Sequence, residues 1–167
     1  MRWFTYFILA YVFIGLQSGL SGYVHYRGAA PNLVLIAAVF IALNAPREPA
    51  VLGCFLMGLM QDMLAQHPLG LYALGFGVVG LVVHSLQTLV YREHPLTHFA
   101  MTLIAGVLVT ALVLVHGLVH PPRLPSGPLL LGAVYTALLA PVVIFILQKL
   151  RRIFGFDTPR RKLRAWS

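Results

Sequence analysis

Apolar residues run along this chain in six blocks, each closed by a short polar or proline-rich break. A helix that crosses a hydrocarbon core of ~30 Å needs about 20 such residues, so the blocks predict transmembrane helices. They cover residues 3–22, 31–43, 50–65, 69–90, 99–119 and 129–150. The breaks include Asn44-Ala-Pro-Arg-Glu-Pro49, Tyr91-Arg-Glu-His-Pro95 and His120-Pro-Pro-Arg-Leu-Pro-Ser-Gly-Pro128. Proline lacks a donor and clashes with a preceding helical turn, so these segments are predicted as loops, and Pro141 as a kink within the sixth block. The second and third blocks are short. At 1.5 Å per residue they cover only ~20 and ~24 Å. Six crossings are expected, with four crossings plus a re-entrant hairpin as the alternative.

Composition agrees with this pattern. Hydrophobic residues make up 59% of the 167 positions and charged residues 10%, against about 25% charged in soluble domains. The excess of 12 Lys+Arg over 4 Asp+Glu would suit nucleic acid, but its distribution does not. Seven of the basic residues lie in the last 19 positions and the others are isolated between apolar runs. With the N-terminus inside, the inner segments carry Arg2, Arg47, Arg92 and those seven, and the outer loops only Arg27 and Arg123. The positive-inside rule therefore puts both termini in the cytoplasm. The expected fold is an all-α membrane protein, a compact six-helix bundle over residues 1–150 with a basic cytoplasmic tail over 151–167. The tail can also bind anionic lipid. The first block, opening Met1-Arg2-Trp3, is read as a retained helix rather than a signal peptide.

Little here can do chemistry. No nucleophile elbow, phosphate-binding loop, paired carboxylates or cysteine pair is present, so no catalytic residue and no cofactor are expected. Glu48 and Glu93 sit beside Arg47 and Arg92 as neutralising surface pairs. Cys54 reads as a small buried hydrophobe. His94/His98 and His116/His120 have i, i+4 spacing, but each pair lacks a third ligand; both lie at span ends, where an imidazole suits the headgroup layer, and no metal site is expected.

Small residues recur at helical spacing. Gly15, Gly19 and Gly22 do so in the first span; Cys54, Gly58 and Asp62 in the third; Ala73, Gly77 and Gly80, with His84 on the same face, in the fourth; Thr102, Gly106 and Thr110 in the fifth; Gly132, Thr136 and Ala140 in the sixth. Such stripes allow close helix packing where lipid supplies no hydrophobic drive. Asp62 is the one acid inside a span, on the face opposite Leu56, Leu59 and Met63. A carboxylate there must face protein or water. The turn at His67-Pro68 starts the fourth span close by, so the free N–H groups of that helix are the expected partner of Asp62. Tyr72 and Asn32 should lie at a similar level.

Pro31-Asn32-Leu33, then Gly53, Gly58 and Asp62, then Pro68-Leu69-Gly70 with Tyr72, form a pattern that resembles the rod shape-determining protein MreD family. The motif likeness covers roughly residues 31–84, and hydropathy carries it further. The resemblance implies a non-enzymatic component of the bacterial elongation machinery in the cytoplasmic membrane. It would bind the single-span protein MreC and act, directly or indirectly, with RodA, a transpeptidase and MreB in lateral peptidoglycan synthesis. It makes Pro31, Asn32, Gly53, Gly58, Asp62, Pro68, Gly70 and Tyr72 the candidate packing, partner or pocket residues. The bundle also resembles the substrate-binding subunits of energy-coupling-factor transporters, which implies the alternative of a small-molecule pocket between spans.

Overall fold

The computed structural model describes residues 3–20, 22–23, 28–64, 70–86, 94–119 and 126–154. Six α-helices follow one another: α1 (Trp3–Leu20), α2 (Leu33–Asn44), α3 (Arg47–Leu64), α4 (Leu71–Leu86), α5 (Pro95–Val119) and α6 (Ser126–Phe154). Pro68, Arg2, Arg27, Arg92, Arg123, His67, His120 and the tail from 155 onward lie outside the described residues. Among the described residues two helices are long and apolar enough to cross a membrane, Pro95–Val119 and Gly127–Leu150.

Helices begin earlier than the proline-rich breaks predicted. α3 starts at Arg47, so Pro49 lies in its first turn and only Ala45 and Pro46 separate it from α2. α5 starts at Pro95 rather than Phe99, and α6 carries Pro128 in its first turn. The first N–H groups of a helix have no intrahelical acceptor, so a proline there forfeits nothing and its fixed φ favours the start.

The short α2 is the axis of the bundle. Every residue from Val34 to Asn44 is buried. α2 packs against each of the other five helices. A helix that is apolar all round belongs in a core, and this explains why α2 shows no amphipathic face. Its N-terminus is satisfied three ways. Asn32 Oδ1 accepts from Leu35 N at 3.0 Å as the N-cap, Gln17 Oε1 of α1 accepts from Leu33 N at 2.6 Å, and Thr136 Oγ1 of α6 accepts from Asn32 N at 2.9 Å. At the other end Asn44 Nδ2 donates to Phe40 O at 2.9 Å.

Glycines set how closely the outer helices approach. A Cβ built on Gly58 would meet the Tyr72 carbonyl and lie 2.7 Å from Ala73 Cα, so α3 and α4 touch backbone to backbone. Further along the same pair, a Cβ on Gly80 would be 3.1 Å from Cys54 Cβ. Between α5 and α6, a Cβ on Gly106 would be 3.0 Å from that of Ala133. Gly15 and Gly19 differ: nothing lies within 4 Å of either. α1 packs on α2 and α3, and an apolar groove separates it from α6.

Candidate functional site

Asp62 ends the inward face of α3 and is 2% exposed, while Met63 beside it is 76% exposed. Gly70 stands at the N-cap position of α4, where a side-chain oxygen ordinarily accepts from the second and third helical N–H groups. Glycine has no such oxygen, and Asp62 supplies it from α3. Its Oδ1 accepts from Tyr72 N at 2.9 Å, and its Oδ2 accepts from Ala73 N and Gly70 N, each at 2.9 Å. Gly70 has φ +105°, a left-handed conformation open to glycine and strained for other residues. Gly70 O in turn accepts the first bond of α4, from Leu74 N at 2.9 Å. The expected pairing of Asp62 with the start of the fourth helix is thus present in full. Gly58, one turn earlier, lets the two backbones come close enough for it.

The α4 start also borders a cavity of about 160 Å³ between α2, α5 and α6. Asn32, Tyr72, Thr110 and Thr136 line it, with Gly106 and Gly132 leaving it room. Asn32 and Tyr72 therefore share one cavity, at the end of the bundle where Asp62 sits. Gly53 and Pro31 are buried away from it, and Pro31 lines the groove on the opposite side of α2. Thr110 and Thr136 were read only as members of packing stripes. Nothing local marks them, because their role depends on which helices become neighbours.

The groove is larger, about 450 Å³, and almost wholly apolar. Ile8, Val12 and Leu16 of α1 form one wall and Tyr135, Leu139 and Val143 of α6 the other, with Leu33 of α2 between them.

Among the described residues no group of His, Cys, Asp or Glu is placed to hold a metal ion. His98 does not lie in a polar surface layer as its place at a span end suggested. It is 3% exposed, because α5 begins a turn early and turns it toward α6, where its Nε2 lies 3.2 Å from Gln148 Nε2. Cys54 is buried, and its thiol donates to Ala38 O at 3.3 Å.

Large apolar side chains face outward along the length of the bundle, among them Phe55 and Leu74 on α3 and α4 and Leu138 and Phe145 on α6. A helical bundle with such an apolar exterior is of the membrane type. The chain belongs to the MreD family: the family model for rod shape-determining protein MreD matches residues 1–150. This is a bacterial membrane protein family of cell-shape determination. Comparison with curated proteins and with solved structures returned no match.

Proposed function

We propose that this protein is a non-enzymatic scaffold of the elongation machinery. It crosses the cytoplasmic membrane six times with both termini inside and holds a single-span partner of the MreC type. Through that partner it supports lateral peptidoglycan synthesis by RodA and a transpeptidase in concert with MreB. The basic tail rests on anionic lipid.

The observation that carries this reading is the α1/α6 groove. Its lining extends to Leu20 on α1 and Leu150 on α6 and is almost wholly apolar. Such a surface suits another apolar helix, which fits side chains into grooves. Gly15 and Gly19 of α1, the helix that forms one groove wall, have nothing within 4 Å, so a second backbone can come close to this helix. The burial of α2 supports six crossings. At 1.5 Å per residue its 12 residues reach only ~18 Å, but a helix wrapped in protein need not match the hydrocarbon thickness.

The transporter-type alternative asks for a ligand pocket. Sites for drug-sized ligands are about 300–1,000 Å³ and carry a few placed polar groups; the polar-lined cavity beside Tyr72, about 160 Å³, falls below that size, and the groove, about 450 Å³, has the size but almost no polar group to orient a ligand. This favours the scaffold.

The test is crosslinking in native membranes. Single cysteines at Val12 and Leu139, on the groove walls, are expected to crosslink to an MreC-type protein. One at Leu52, an exposed position on α3, is not. Buried Cys54 leaves the background silent. Crosslinks from Leu52 but from neither groove position would sink the proposal.

A further inference from the structure

The cavity beside Tyr72 falls below the size of a drug-sized site, but its lining is built for something smaller. Thr110 is 7% exposed and lines it, and its hydroxyl has no partner among the described residues. Its oxygen is not one of the buried unpaired polar atoms, which among the described residues are Gln61 Oε1, His98 Nδ1 and Thr102 Oγ1, so it stands open to the cavity rather than sealed in the core. Thr136 on the opposite wall differs. Its Oγ1 donates to Gly132 O at 2.7 Å and accepts from Asn32 N, so it is committed.

Asn32 adds a second uncommitted group. Its Oδ1 must accept from Leu35 N to cap α2, which fixes the orientation of the carboxamide. The Nδ2 amine is left as a donor with no partner among the described residues. The cavity therefore offers one hydroxyl, able to donate and accept, and one amide donor. Among the described residues that line it, none is acidic, basic or histidine. A charged ligand would lose its hydration there without a counter-charge, which is costly. A neutral ligand would not.

We propose that this cavity is a binding site for a neutral hydroxyl-bearing group, one polyol unit or one sugar ring. A hydroxyl pairs with Thr110 in either direction and accepts from Asn32 Nδ2. Tyr72 contributes an aromatic surface for the carbon face of the ligand. The cavity, about 160 Å³, is of a size for one such unit. The unit can belong to a free polyol or to the headgroup of a neutral glycolipid. Asp62 acts on this site at one remove: by holding the backbone of Tyr72 it fixes the wall against which the ligand lies.

The probes are glucose and glycerol, read by saturation-transfer NMR on the full chain in phospholipid nanodiscs without sugar headgroups. Saturable transfer is expected. Thr110→Val keeps the shape and removes the hydroxyl, and should weaken binding about 5-fold, the equivalent of one hydrogen bond. Asn32→Asp still caps α2, and its carboxylate can accept from a ligand hydroxyl, so binding should stay within about 3-fold. Unchanged thermal unfolding of both variants separates these effects from misfolding. Native mass spectrometry of nanodiscs doped with galactosyl diacylglycerol distinguishes the sources. One retained glycolipid that suppresses the glucose signal identifies a headgroup site, and a glucose signal without retention identifies a soluble polyol. The proposal is overturned if neither probe nor glycolipid binds saturably. It is equally overturned if inorganic phosphate displaces the probe and Asn32→Asp abolishes binding, since the site would then take an acceptor-only anion.

Discussion

Asp62 on α3 accepts from the backbone N–H of Tyr72 on α4 at 2.9 Å, beside a left-handed Gly70 at the start of that helix. Two helices are thus joined by a side chain that does for its neighbour what an N-cap does for its own helix. One carboxylate accepts three N–H groups, and that ratio governs how substitutions there should behave.

Asp62→Asn keeps one oxygen acceptor and loses the charge and at least one of the three bonds. It should cost about 1–3 kcal/mol. Asp62→Leu leaves all three N–H groups unpaired in a buried site and should cost more than Asp62→Asn, enough to lower the folded yield sharply. Thermal unfolding in detergent and expression level check the order. Equal behaviour of the two variants would show that the cap contributes little.

Gly58→Ala should destabilise by about 1–3 kcal/mol, because the added methyl meets the Tyr72 and Ala73 backbone, which cannot turn aside as a side chain can. Gly15→Ala and Gly19→Ala meet nothing, and should be neutral or gain up to about 1 kcal/mol from helix propensity. Denaturation of the three variants side by side reads this contrast directly.

The N-terminus of α2 depends on α1 through Gln17. Gln17→Met keeps the length of the side chain and removes the acceptor for Leu33 N, at an expected cost of about 1 kcal/mol or more. Asn32→Ala should cost about 0.5–2 kcal/mol and Asn32→Asp almost nothing, since either Asn or Asp caps a helix. Hydrogen exchange at Leu33 and Leu35 should rise in the matching variants, and in Gln17→Met at Leu33 above all.

Leu139→Trp places a larger ring on the groove side of α6, at a position that is only partly buried. It should leave unfolding unchanged and abolish co-purification of the MreC-type partner. Persistence of the complex at wild-type yield would move the interface elsewhere.

Most of the helices were legible in the chain because an apolar block long enough to matter has few other uses. The Asp62 site was legible for a related reason. One acid on the small-residue face of an apolar helix has to find donors, and the nearest are those of the next helix. The starts of α3, α5 and α6 were less legible, because a proline reads as a break whether it stands before a helix or in its first turn.

What sequence alone determined, then, is the apolar character of the six helices, the inward face of α3 and the family motif from Pro31 to Tyr72. Tertiary structure decided the rest. Hydropathy cannot tell whether protein or lipid surrounds an apolar helix, so only assembly shows α2 to be the buried axis. The glycine stripes look alike in the chain, yet Gly58 lies against backbone and Gly15 against nothing. Asn32, Tyr72, Thr110 and Thr136 come from four different helices or their caps, and only the arrangement of the helices makes them one cavity.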